Sequence, residues 1–284
     1  MKVMMVAVFS DMSTNTWQAK GFENLGFDVV RYNYRVRANK IGRKNRDNEI
    51  ISVCKDERPD MILFSKCNLV NIKVVRECNK ICKTVLWYMD FMPRIDAELK
   101  QKMEECNYVF CSRYDGVNEA LKLNKNVYRL QGGYDPDEYF PMDLPKRYDS
   151  VFIGNIDRRG RRDYVGNVDF DVITGVYGRD HSKIVSESKI NLSFSEGDGI
   201  SNRIYKLLAS KGFVLTQPWH KMEEDWEVGK DFDIFNSPSE LKEKIIYYLN
   251  NSSERNYIAE CGYIKVQNYD NNNYARRISD IVLK

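Results

Sequence analysis

Histidine is almost missing from this chain: His181 and His220 are the only two in 284 residues. Neither lies at a zinc-type spacing from two cysteines, so a His-based metal centre and a Ser-His-Asp triad are both disfavoured. No CxxC pair occurs among Cys54, Cys67, Cys78, Cys82, Cys106, Cys111 and Cys261. An odd number of cysteines scattered through strand-like and helix-like segments reads as reduced structural thiols rather than a disulfide framework. The phosphate-loop signature GxxxxGK[ST] is absent, which removes ordinary P-loop nucleotide hydrolysis. GxGxxG does not follow the first apolar run, which argues against a standard dinucleotide dehydrogenase. Long hydrophobic runs are lacking too. The opening MKVMMVAVFSD is apolar for too few residues to span a bilayer and has no small-residue cleavage site, so it reads as a first buried strand of a cytoplasmic protein with no membrane span.

What is present describes a globular chain, 43% hydrophobic and 30% charged, long enough for two domains. The net charge of +3 permits a polyanionic partner without arguing for one. Two basic runs, residues 35–46 and 158–162, are more pointed, although solvated loops account for most runs of this kind. In the first half, strand-like runs at residues 3–9, 27–33, 60–66, 84–90, 108–112 and 127–131 alternate with helical patterns at 17–25, 47–55, 70–82 and 97–106. That alternation predicts βαβ units and a parallel, Rossmann-like sheet.

Residues 132–149, GGYDPDEYFPMDLPKRYD, gather prolines, glycines and acids without a sustained period, which is a linker composition. The alternation then restarts with strand-like runs at 150–155, 169–178, 189–194 and 212–217, and a helix over 238–249 with Ser237 as N-cap. The expected division is an N-terminal Rossmann-like domain over 1–146, a second over 147–267, and a C-terminal segment over 268–284. Ligands bind open α/β sheets at the carboxyl ends of the strands, so functional residues are expected in the loops that follow strands.

The most informative stretch is residues 189–219, KINLSFSEGDGISNRIYKLLASKGFVLTQPW. It reads as a strand, a Gly-rich turn, a helix opened by Ser201, Asn202 and Arg203, and a second strand. Such a helix start exposes unpaired N–H groups and a positive dipole end, which suit a phosphate, and Arg203 adds a bidentate partner. An ordinary strand-turn-helix unit with no ligand is the alternative. Gly154 and Asn155 follow another strand, with Asp157, Arg158 and Arg159 next; backbone N–H groups and an arginine there suit a diphosphate, or the segment is an exposed basic loop. Tyr177 and Gly178 close a strand and suit a nucleobase, or are structural. Asp90 ends the strand TVLWYMD, where it either serves as a general base or caps a turn. Ser10 and Asp11 close the first strand in the same way. The DxD at Asp169-Phe170-Asp171 lies at the wrong end of its strand for a metal site.

These second-half runs, SVFIGN, VITGVYG, the 189–219 stretch and the tail WEVGKDFDIFNSPSELKEKIIYYLNNSSERNYIAECGY, resemble the C-terminal domain of GT-B glycosyltransferases. The nearest look is to the spore-maturation-protein type of the group 1 glycosyltransferases, over residues 150–283. The resemblance implies two Rossmann-like domains facing a central cleft, and transfer of a sugar from a nucleotide-sugar, with a UDP-sugar the expected donor, to an acceptor hydroxyl. It implies no cofactor and no bound catalytic metal. The second domain would hold the donor and the first the acceptor, which stays open among a small molecule, a glycan, a protein and modified DNA. Arg203 matches the family's motif arginine, and Glu196-Gly197 resembles the acidic-glycine turn that contacts the donor sugar. By the same analogy the C-terminal segment is a helix crossing back to the first domain, where Ile278, Ile281 and Val282 need a surface to cover. Asp90 is the expected base and Asp11 the next candidate. The main departure is Lys206, where relatives commonly carry a glutamate that accepts hydrogen bonds from ribose. A lysine has no acceptor, so Glu223 or Glu224 takes over, donor binding differs, or the scaffold has become a binding module.

Overall fold

The computed structural model describes residues 1–11, 13–90, 96–157, 161–194 and 199–284. The chain divides into two compact units, Met1–Gly132 together with Asn271–Lys284, and Gly133–Asp270. Each is built on one parallel sheet.

The first unit runs β1 (Lys2–Ala7), α1 (Thr14–Asn24), β2 (Asp28–Asn33), α2 (Tyr34–Ile41), α3 (Arg43–Glu57), β3 (Met61–Ser65), α4 (Ile72–Cys78), β4 (Lys83–Tyr88), α5 (Ala97–Glu105), β5 (Tyr108–Cys111), α6 (Tyr114–Leu121) and β6 (Val127–Arg129). Its strands stand in the order β2-β1-β3-β4-β5-β6, all parallel. A parallel sheet is covered on both faces, which is why the central strands are apolar without alternation: β1 reads KVMMVA and β3 MILFS, with Val3 to Ala7 and Met61 to Phe64 fully buried. The chain reverses its direction of winding between β1 and β3, which makes their carboxyl ends the switch point of this sheet.

Two segments differ from expectation here. The basic run over residues 35–46, for which a solvated loop was one reading, lies in helix α2 and the start of α3, joined at Gly42 with φ 79°. Helical order is imposed from the buried side: Arg46, Ile50 and Cys54 sit one turn apart on α3 and are fully buried. Arg46 is held by Asp47 at 2.8 Å and by the carbonyls of Tyr34 and Leu69. The helix α6 was not expected, although Tyr114, Val117, Ala120 and Leu121 stand at helical spacing.

The second unit runs β7 (Tyr148–Ile153), β8 (Asp171–Ile173), α7 (Gly178–Ser186), β9 (Ser188–Ser193), α8 (Asn202–Ala209), β10 (Val214–Thr216), β11 (Asp233–Ile234), α9 (Pro238–Asn250) and α10 (Ser252–Val266). The parallel strand order is β11-β10-β9-β7-β8, with its switch point between β7 and β9. The expected strand over 169–178 is shorter. It stops at Ile173, and the chain turns at Gly175, φ 74°, before α7. The linker-like segment is also not a free linker: Tyr134 and Tyr139 are buried in the core of this unit with Ile204, Tyr205 and Trp226. Ser237 caps α9 as expected, its Oγ accepting from the Glu240 N–H at 3.2 Å.

The last helix, α11 (Asn271–Val282), returns to the first unit. Tyr274, Ala275, Ile278 and Val282 are buried there beside Phe22, Leu130 and Trp87, and the Tyr274 ring meets Trp87 edge-on at 5.3 Å. Gly21 of α1 makes this contact close, since a Cβ there would stand 2.1 Å from the Asn271 carbonyl oxygen. All seven cysteines are free; Cys54 and Cys82 Sγ lie 3.8 Å apart in the core of the first unit.

Candidate functional site

In the second unit the switch point is occupied by Arg203. Helix α8 follows β9 and buries Ile204, Tyr205, Leu207 and Leu208, which leaves Asn202, Arg203 and Lys206 on its half-exposed side. Ser201 is the N-cap, its side chain accepting from the Arg203 N–H at 3.3 Å. The Arg203 guanidinium donates from Nε to the Ile153 carbonyl at 3.0 Å and from Nη1 toward the Phe194 carbonyl at 3.5 Å. It thereby ties the carboxyl end of β7 to the residue just past β9. It also lies 4.8 Å from the centre of the Phe152 ring.

Gly154 is required by that arrangement. A Cβ on it would stand 2.7 Å from Arg203 Nη2 and 3.1 Å from the Phe152 ring. A second arginine, Arg161, is buried on the same ring at 5.4 Å and donates to the Asn155 carbonyl at 2.6 Å. Arg161 belongs to the basic run but was not among the candidate site residues, because its burial is a tertiary fact. Asn155 uses its side chain locally, accepting from the Asp157 N–H at 2.7 Å. Arg158, Arg159, Glu196 and Gly197 lie outside the described residues.

Tyr177 and Gly178 stand at the start of α7. Tyr177 is exposed, whereas Gly178 has φ 54° and donates its N–H to the Tyr139 hydroxyl at 3.2 Å. Tyr139, from the linker-like segment, brings α7 and α8 together: the Lys206 ammonium lies 4.9 Å over its ring and His181 meets it edge-on at 5.5 Å. His181 is buried, and burial first, then the Lys206 and Arg203 charges, depress its pKa from 6.5 to about 3. It is neutral at physiological pH. Two cations, Arg203 and Lys206, and one neutral imidazole meet at this end of the unit, with the Glu138 carboxylate beside Gly178. Glu223 and Glu224 are exposed in the short turn after β10.

In the first unit the candidates follow the carboxyl ends of β1 and β4. Asp11 follows β1 and is exposed; the turn around it is held by Ser13 Oγ donating to the Val8 carbonyl at 2.9 Å and Thr16 Oγ1 donating to the Ser10 carbonyl at 2.7 Å. Asp90 lies two residues beyond β4. Its carboxylate is paired with the Lys66 ammonium at 2.6 Å, and Lys66 follows the adjacent strand β3 in a left-handed conformation, φ 59°. Lys66 was not foreseen, because only strand pairing sets it beside Asp90. Among the described residues no group of three His, Cys, Asp or Glu side chains is placed to hold a metal ion.

Residues 146–282 match the family model described as Glycosyl transferase-like. No curated protein matches the chain. Among solved structures, Anabaena Alr3699/HepE in complex with UDP-glucose superposes with a TM-score of 0.73 at 10% identity, covering 99% of this chain and 98% of that one. A glycosyltransferase from Rickettsia africae gives 0.75 at 13% identity, covering 100% and 98%. Sucrose-phosphate synthase from Thermosynechococcus elongatus gives 0.72 at 9%, covering 99% and 98%. The fold these findings define is GT-B, two Rossmann-like domains. Over residues 146–282 the chain is similar to the glycosyl transferase-like family.

Proposed function

We propose that the chain transfers a sugar from a UDP-sugar to an acceptor hydroxyl, with the diphosphate bound at the β7/β9 switch point and the acceptor at the β1/β3/β4 edge. The observation that carries this reading is the single guanidinium joining the ends of β7 and β9 beside the open N-terminus of α8. Fixed positive charge there stabilises the departing diphosphate without reorganisation. The Anabaena structure with UDP-glucose supports the choice of donor. A nearer kinship with the spore-maturation-protein type belongs to the same reading and rests on the motif around Arg203.

In the proposed step the acceptor oxygen bonds to the anomeric carbon as its proton passes to Asp90, and the bond from that carbon to the diphosphate oxygen breaks, releasing the nucleoside diphosphate. Lys66 holds the Asp90 carboxylate in place. Asp11 is the substitute base. The charge on the leaving group is met by protein cations, so no metal is assigned a role, and turnover is expected to survive EDTA. The seven free thiols fit a reducing cytoplasm.

Thermal shift with UDP-, GDP- and TDP-sugars, followed by measurement of released nucleotide, tests the proposal. A donor that binds only the folded state raises the melting temperature. Stabilisation by a UDP-sugar with nucleotide release supports it. Stabilisation without release in the presence of acceptors favours a binding module, a reading for which Lys206 is the specific observation. No shift with any sugar nucleotide overturns donor binding.

A further inference from the structure

Lys102 on α5 is fully buried, and the chemistry above gives its charge no use. Its Nζ donates to the Cys67 carbonyl at 2.9 Å and lies 3.3 Å from Glu98, one turn back on the same helix. Burying an ammonium costs desolvation that an apolar chain of the same length avoids, so stability alone does not call for a lysine here. Arg46, also fully buried, reaches the same segment from α3 and donates to the Leu69 carbonyl. Two buried cations thus hold carbonyls of one short loop, residues 66–69, which follows β3.

That loop carries backbone strain. Lys66 and Cys67 are consecutive left-handed residues, φ 59° and 53°, and neither is glycine. Elsewhere among the described residues a positive φ occurs at Arg58, Lys211 and Lys221, each of them alone. A Cβ disfavours this conformation, so two in succession persist only where the surroundings hold them. The Cys67 carbonyl is held by Lys102, and its thiol donates to the Val6 carbonyl at 3.0 Å. The direction of the Lys66 side chain follows from its own left-handed backbone, and that side chain is the one paired with Asp90 at 2.6 Å.

We propose that Lys102 is a positioning residue for the transfer: its ammonium fixes the strained pair Lys66-Cys67 and thereby holds the Lys66 ammonium on the Asp90 carboxylate. The inference rests on the reading of Asp90 as the base. Lys102 touches neither donor nor acceptor in it, and acts through one carbonyl and one ion pair.

Two readouts on the full chain decide it. The first is the rate at which acetic anhydride labels Lys66, measured by mass spectrometry against the exposed Lys40, and it requires no turnover. Lys102→Met is expected to raise Lys66 labelling at least ~5-fold, as Asp90→Asn does, because either change frees the ammonium. The second is release of UDP from UDP-glucose with water as acceptor, which Lys102→Met is expected to slow about 10-fold while donor affinity holds. Adding Cys67→Gly to Lys102→Met is expected to restore both the protection of Lys66 and the rate, since glycine takes the left-handed conformation without being held, even as it lowers the melting temperature. If Lys102→Met does not fold, Lys102→Gln, whose neutral amide is too short to reach the carbonyl, gives the same comparison. Unchanged Lys66 labelling overturns the proposal, as does a slowed rate that Cys67→Gly leaves slow, which is the mark of a merely structural lysine. Freed Lys66 with undiminished turnover overturns it too. Failure of the base reading looks different: Asp90→Asn then releases UDP at the wild-type rate, whatever Lys102→Met does to the labelling.

Discussion

Two carbonyls and one ring hold Arg203 at the switch point of the second unit. Arg203→Ala is expected to weaken UDP-sugar binding at least ~10-fold while the second unit stays folded. Arg203→Lys keeps the charge but cannot span both carbonyls, and recovers only part of the affinity. Isothermal titration on both variants checks this, and unchanged affinity in Arg203→Ala removes the phosphate role. At the other site Asp90→Asn keeps the shape and loses the proton acceptor. Donor affinity is expected to hold while the single-turnover rate falls by about 100-fold. A turn-capping aspartate gives the opposite pattern, a lower melting temperature with an intact chemical step.

At the scale of elements, the packing of α11 on α1 depends on a residue with no side chain. Gly21→Ala places a methyl group 2.1 Å from the Asn271 carbonyl oxygen, and backbone cannot swing aside as a lysine tip can. The first unit is expected to lose about 1–3 kcal/mol, read by urea unfolding through its tryptophans. Gly26→Ala is the contrast, because no atom lies within 4 Å there and only its φ of 81° is strained. Equal costs at the two positions would mean that close packing of α11 contributes nothing. The amphipathic period of α11 was legible in the sequence through Ile278, Ile281 and Val282. Its start at Asn271, inside a run of asparagines with poor helix propensity, was not, since packing rather than propensity sets that boundary.

For the whole molecule, the buried neutral His181 couples stability to acidity. Its pKa is about 3 in the fold against 6.5 unperturbed, so between those values the unfolded chain binds a proton that the folded one does not. Stability therefore rises with pH through this window and falls on acidification below about pH 6.5, by up to ~1.4 kcal/mol per pH unit from this group. The melting temperature of the second unit followed from pH 7 to pH 4 checks it. His181→Phe is expected to flatten that dependence, and an unchanged slope in the variant assigns the effect elsewhere.

By itself the sequence determined the two parallel α/β units, because buried parallel strands must be continuously apolar and helices between them must be periodic, and both patterns are local. The strand ends that matter were local too: Gly154, Ser201, Arg203 and Asp90 each follow an apolar run. What only the tertiary structure decided is which of these residues meet. Lys66 reaches Asp90 through the pairing of β3 with β4, and Arg161 shares the Phe152 ring with Arg203. Tyr139 leaves an apparent linker to support Lys206 and His181, and Glu49 cancels Arg37 while leaving Lys40 bare. Each of these depends on contacts between residues distant in sequence, and charge, ring and carboxylate patterns read along a chain carry no record of such distances.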